Sequence, residues 1–205
     1  MVARVNTVAF QGIDVVDVDV QVHIGAGLPG FMLVGLPDKA VGESRERVRA
    51  ALAALGLALP PKRITVNLSP ADLNKEGSHY DLPIAVGLLV ALGVLESDEV
   101  QRYTMLGELA LDGKIAPVAG VLPAAMGALA HGRGIVCPGA CGGEAAWAGS
   151  AADGHEVLAP DSLIGLVNHF KGSQVLQTPR PRLAEAETSY PDLRDIKGQE
   201  TAKRA

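Results

Sequence analysis

The sequence predicts an α/β protein built of α and β layers, and three observations carry that prediction. Residues 2–24 hold two Val-rich stretches of period two. Residues 38–55 and 81–92 hold apolar patterns of helical length, and shorter strand-like and helix-like segments then alternate as far as residue 170. With 48% hydrophobic residues in 205, the chain can bury a sizeable core, which excludes disorder throughout.

Residues 2–10 read as the first strand. In residues 13–24, Val15, Val18, Val20 and Val22 are set against Asp14, Asp17, Asp19 and Gln21, the pattern of a half-buried strand with an acidic outer face. A Gly-rich turn leads to a third strand over 30–35. A helix over 38–55 follows, with Val41, Val48, Leu52 and Leu55 on one stripe and Gly56 as its stop. After Pro60-Pro61, residues 63–68 read as a strand. The helix that begins at Asp81 is apolar on every side, as a central, buried helix must be. Residues 103–111 and 114–118 are expected to pair as a hairpin about Asp112-Gly113. Helix and strand then alternate over 121–130, 134–137, 144–148, 156–158 and 162–170. Residues 171–191, with three Pro and scattered charge, read as a linker, and residues 192–205 as the helical start of a further unit that is cut off.

Composition excludes several functions. Residues 1–170 carry 11 Lys/Arg against 18 Asp/Glu, and the whole chain has a net charge of −5, so its overall field does not attract nucleic acid. DNA contact therefore requires a local patch, an assembly or an attached domain. Seven aromatic residues supply few platforms for base stacking. The longest near-continuous apolar run, residues 82–95, is interrupted by Pro83 and two Gly and is shorter than the roughly 20 residues a bilayer requires. With no secretory leader pattern either, a cytoplasmic protein without membrane contact is expected. Cys137 and Cys141 are expected as reduced thiols, and C-x3-C without a second pair does not specify a metal site.

Two glycine motifs invite a nucleotide and then fail the test. Gly25-Ala26-Gly27-Leu28-Pro29-Gly30 matches G-x-G-x-x-G, but a strand and not a helix follows it, so no helix N-terminus meets a pyrophosphate. Residues 107–114 have five residues between Gly107 and Gly113 where a phosphate loop has four, and Ile115 stands where a Mg²⁺-binding hydroxyl is needed. The densest functional cluster joins a buried strand to the buried helix over residues 67–81. There Lys75, Gly77, Ser78, His79 and Asp81 are candidates for an anion or DNA loop, since a helix start favours negative charge. The competing reading has Ser78 or Asp81 capping the helix. Arg45, Arg47 and Arg49 are candidates for a basic face, although Glu43 and Glu46 interleave them.

The run Pro60-Pro61-Lys62-Arg63-Ile64-Thr65-Val66-Asn67-Leu68-Ser69-Pro70-Ala71-Asp72-Leu73, continuing through Lys75-Glu76-Gly77-Ser78-His79-Tyr80-Asp81-Leu82-Pro83, closely resembles the N-terminal region of the magnesium-chelatase-like AAA+ ATPases of the ComM/YifB type. Val34-Gly35-Leu36-Pro37-Asp38, Glu43-Ser44-Arg45-Glu46-Arg47-Val48-Arg49-Ala50, residues 107–113 and residues 120–123 carry the resemblance further, over essentially the whole chain. It implies a fold similar to the Lon protease domain and to the second domain of a small-subunit ribosomal protein. In Lon-like proteases a Ser in a Gly-Pro-Ser-Ala-Gly turn pairs with a downstream Lys. Here the matching turn is Gly77-Ser78-His79-Tyr80-Asp81, with His79 about where the nucleophile sits and Ala124 near the place of the lysine, so the resemblance implies no catalytic residue. Family members are described as hexameric DNA motors, including a branch-migration helicase of natural transformation. By that resemblance residues 1–170 are a non-catalytic Lon-like domain and 192–205 lead into an ATPase module, which would bind ATP and Mg²⁺. Its own ATPase module, further copies of itself and DNA are the partners implied. The alternatives are a chelatase-type module acting on another protein and a residual serine hydrolase using Ser78 and His79.

Overall fold

The computed structural model describes residues 2–149, 154–181 and 193–204. Strands β1 (Val2–Gln11) and β2 (Asp14–Gly25) form one long antiparallel hairpin that turns at Gly12, with Val5 opposite Val20 and Ala3 opposite Val22. Period-two valine put every second side chain on the same face, so Val5, Val18, Val20 and Val22 are buried together. Strand β3 (Gly30–Val34) lies parallel to β4 (Arg63–Ser69), and β4 pairs antiparallel to β2. Strands β5 (Tyr103–Met105), β8 (Gly134–Val136) and β9 (Val157–Leu158) extend the other side in parallel, giving the order β3-β4-β2-β1-β5-β8-β9. The protein is thus a mixed α/β fold with a seven-stranded mixed sheet packed with helices.

Helix α2 (Asp81–Ala91) packs over the hairpin and helix α1 (Lys39–Ala54) packs against α2, and every residue of α2 from Asp81 to Val90 is buried. Gly87 permits this close approach, because a Cβ there would stand 2.7 Å from Val22 Cγ2. One core joins this layer to α6 (Leu163–Phe170). A second gathers α4 (Val121–Ala130) and α5 (Gly142–Ala145) around Val8, Ile135 and Val157. Alternation on β8 serves both cores, with Val136 in the first and Ile135 in the second.

Some elements depart from the sequence reading. The strand expected over 103–111 breaks at Gly107, and only Glu108–Leu109 (β6) and Ile115–Ala116 (β7) form the expected hairpin, as a separate two-stranded sheet. Gly107 causes the break: its N–H donates to the His79 carbonyl and its own carbonyl accepts from Leu82 N, at 3.0 Å each, which diverts the chain to the start of α2. A short helix, α3 (Ser97–Gln101), was not legible, and α5 ends before Trp147. Residues 171–181 run without helix or strand, although Leu176 packs on the first core. The rest of the expected linker, 182–191, lies outside the described residues, as do Asp192 and Ala205. Between them a single 3-10 turn and α7 (Glu200–Arg204) are formed.

Candidate functional site

The connection from β4 to α2 is held against the segment that enters α1. Lys75 bridges Pro37 in parallel, its N–H donating to Leu36 O at 3.1 Å and its carbonyl accepting from Asp38 N at 2.9 Å. Asp38 caps α1 by accepting from Val41 N at 2.7 Å, and its second oxygen accepts from Gly77 N at 3.3 Å. Residues 34–38 and 75–81 carry two of the motifs noted in the sequence, and this contact makes them one structural unit. Gly35 is required within it, since its φ is +105° and a Cβ would stand 2.1 Å from Leu68 O. Leu36 follows at φ +54°, a left-handed conformation that is costly for a bulky side chain.

At the centre lies a charged clasp. Arg47 grips the fully buried carboxylate of Asp81 through Nε at 2.5 Å and Nη2 at 3.0 Å. Leu109 N donates to the same carboxylate at 3.1 Å, so α1, α2 and β6 meet there. The hydrogen bond to Asp81 and the nearby carboxylates of Asp81, Glu108 and Glu43 hold the guanidinium charge more firmly than usual. Ser78 donates to Glu108 Oε2. His79 is buried and donates from Nε2 to Val8 O at 2.9 Å, which makes that nitrogen the protonated one; burial lowers its pKa. Lys75 is also buried, donates from Nζ to Pro70 O, and has its pKa lowered by desolvation.

This geometry changes how the candidate residues read. Lys75, Gly77, Ser78, His79 and Asp81 are brought together, yet their polar groups turn to other parts of the protein. Asp81 does not cap α2: its oxygens go to Arg47 and Leu109, and α2 has no side-chain cap. The N–H groups that an anion would use are taken as well, Leu82 N by Gly107 O and Asp81 N by Ser78 O. Asp38, Asp81 and Glu108 add negative charge around them, so the loop is poorly suited to an anion. The Ser78 and His79 pairing expected of a residual hydrolase is not formed, because Ser78 faces Glu108 while His79 faces Val8.

The basic face divides in the same way. At 100° per residue, Arg45 and Arg49 share a face while Arg47 points elsewhere. Arg47 leaves the expected face for Asp81, and Arg45 pairs with Glu46 at 3.0 Å. Arg49 has no ion-pair partner among the described residues and lines a cleft with Lys62. Asp38 and Glu108 were not singled out by the sequence. Pro37-Asp38 before a helical pattern is the signal that would have found the cap, whereas nothing local points Glu108 toward Ser78.

Neither glycine motif supplies a phosphate cradle. Gly30 opens β3, and residues 107–114 hold β6 and the turn that leads to β7, so neither begins a helix. ATP and Mg²⁺ therefore do not fit these segments. No cluster of three or more His, Cys, Asp or Glu suited to a metal ion occurs among the described residues, and no helix there is long and apolar enough to cross a membrane.

A mixed sheet, a buried helix that is apolar beyond Asp81 and a charged clasp at its start define an α/β module. A family model described as the ChlI subunit of Mg-chelatase matches residues 20–140, and the chain belongs to that family. It is similar to the uncharacterized protein YifB of Escherichia coli, 40% identical over 200 residues that cover 98% of this chain and 39% of that protein. The competence protein ComM of Haemophilus influenzae is 38% identical over 208 residues, covering 99% of this chain and 40% of ComM. The uncharacterized protein Rv2897c of Mycobacterium tuberculosis is 40% identical over 204 residues, covering 98% of this chain and 39% of its own length. The chain thus spans about two fifths of the length of these relatives.

Proposed function

We propose that this chain is the non-catalytic N-terminal part of a hexameric, ATP-driven DNA motor of the cytoplasm, acting in recombination or transformation as a branch-migration helicase. In this reading residues 1–170 are the folded domain, 171–191 a linker and 192–205 the entry to the ATPase module, which holds ATP and Mg²⁺. The domain helps to build the ring and to position DNA. The observation that carries the reading is 38% identity to competence protein ComM along 99% of the chain. The closed clasp supports the non-catalytic role, since Ser78, His79 and Lys75 are each committed to another part of the fold. The net charge of −5 favours DNA contact through a local patch such as the one around Arg45, or through the assembled ring.

The test uses the full-length protein that contains this chain, with ATP and forked DNA. Mass photometry is expected to show particles of six protomers, and a strand-exchange assay to show junctions moving. Protein that stays monomeric with ATP, or rings that move no junction, contradict the proposal. A second reading is favoured by the family match itself: a chelatase-type module that acts on another protein, which predicts a stable protein complex and no salt-sensitive DNA binding.

A further inference from the structure

The two most exposed large apolar side chains among the described residues are Ile13, at 93%, and Leu28, at 88%. They stand at opposite ends of β2. Ile13 forms the tip of the β1-β2 hairpin, and Leu28 follows the far end of β2, beside the place where Gly25 and Gly30 both pair with Arg63. Twelve residues at about 3.3 Å each separate the two ends by about 40 Å, so they cannot meet within one molecule.

Each protruding side chain has an apolar cleft beside it. Next to Leu28, a cleft of about 430 Å³ is lined by Phe31, Leu57, Leu59 and Pro60 together with Arg49 and Lys62, and no carboxylate lines it. Neither Arg49 nor Lys62 has an ion-pair partner among the described residues. Next to Ile13, a cleft of about 550 Å³ is lined by Phe10, Ala119 and Pro123. The neighbouring Asp14 is exposed and has no ion pair among the described residues, whereas Asp17 is engaged by Arg133 at 2.6 Å. One end therefore offers an apolar knob, an apolar cleft and free cations. The other offers an apolar knob, an apolar cleft and a free carboxylate.

We propose that copies of this chain join head to tail, with Ile13 of one copy seated in the Arg49 and Lys62 cleft of the next and Leu28 of that copy seated against Phe10 and Pro123 of the first. The inference rests on the assembly role proposed above and names the surface that performs it. A contact between two different patches is heterologous: it leaves a free end on every copy and closes only as a ring, or continues as a filament. Apolar burial supplies the attraction, while Asp14 against Arg49 and Lys62 sets the direction and makes the contact salt-sensitive.

The experiment is sedimentation velocity of the 205-residue chain over a concentration series at low and high salt. Ile13→Asp disables the tip, and Leu28→Asp with Arg49→Glu disables the cleft end; all three positions are exposed, so folding is retained, which circular dichroism checks. The wild-type chain is expected to associate with rising concentration and to weaken with salt. Each variant alone is expected to associate at least tenfold more weakly. An equimolar mixture of the two should form 1:1 dimers and nothing larger, because one intact tip meets one intact cleft. If the wild type associates and the variants match it, or if the mixture stays monomeric, this contact is overturned while the assembly role stands. If the wild type is monomeric at every concentration, this contact is overturned, and the assembly role is decided separately by the particle size of the full-length protein with ATP.

Discussion

Replacing Asp81 by alanine removes the group at which three elements meet. Its carboxylate is fully buried and accepts from Arg47 at 2.5 and 3.0 Å and from Leu109 N at 3.1 Å. Arg47 then loses two charge-assisted bonds, each contributing about 1.5–3 kcal/mol net, and the Leu109 amide loses this acceptor. Removing one partner of a buried ion pair costs about 3–5 kcal/mol. The Arg47 side chain is 20% exposed, so water resolvates it in part and places the loss near the lower end, about 3 kcal/mol. Urea unfolding followed by far-UV circular dichroism reads this as a lower midpoint. Arg47→Met strands the opposite charge at a similar cost. The double variant strands neither and is expected to cost about 2 kcal/mol less than the sum of the two. A loss below about 1 kcal/mol for Asp81→Ala, or losses that simply add, refutes the clasp.

Three further outcomes are expected. Gly35→Ala sets a Cβ 2.1 Å from Leu68 O at a φ of +105°, which forces backbone to move and costs about 3 kcal/mol or more, measured by the same unfolding assay; a loss below about 1 kcal/mol contradicts the pinned turn. Burial holds the His79 imidazole below its usual value, so the unfolded chain takes up a proton that the folded one refuses. Stability is therefore complete above about pH 6.5 and falls as pH drops below it, by up to about 1.4 kcal/mol per pH unit until the folded-state value is reached. His79→Gln should flatten that part of the curve, and an unchanged slope assigns it elsewhere. Burial pushes the Cys137 thiol up to about 12 and raises Cys141 as well, so a thiol reagent at pH 8 should label neither in the folded protein and both in urea. Rapid labelling of folded protein contradicts that burial.

The regular parts of the fold were legible because their signals are periodic. Valine at every second position of β2 identified the buried face, and apolar residues on all sides of α2 identified the central helix. The site was legible as a place but not as a geometry. Residues 67–81 were recognised as chemically dense, yet the partners that decide what they do, Glu108, Val8 and Arg47, lie 30 to 71 residues away in the chain. Helical spacing separates Arg47 from Arg45 and Arg49 but does not reveal that a buried carboxylate waits on the other side. Gly107 was legible as a glycine, and its part in breaking the strand depends on His79 and Leu82, which reach it only in the folded chain.

In the function proposed above, this domain serves a DNA motor without doing chemistry itself. Fluorescence anisotropy of labelled forked DNA tests that role most directly, titrated at low and moderate salt with this chain and with the full-length protein. Counterion release makes the salt slope a count of phosphate contacts. Salt-sensitive binding by the full-length protein is expected, weakened by Arg45→Glu and left unchanged by Ser78→Ala. Binding by neither protein contradicts that role and turns the assignment to a module that acts on another protein.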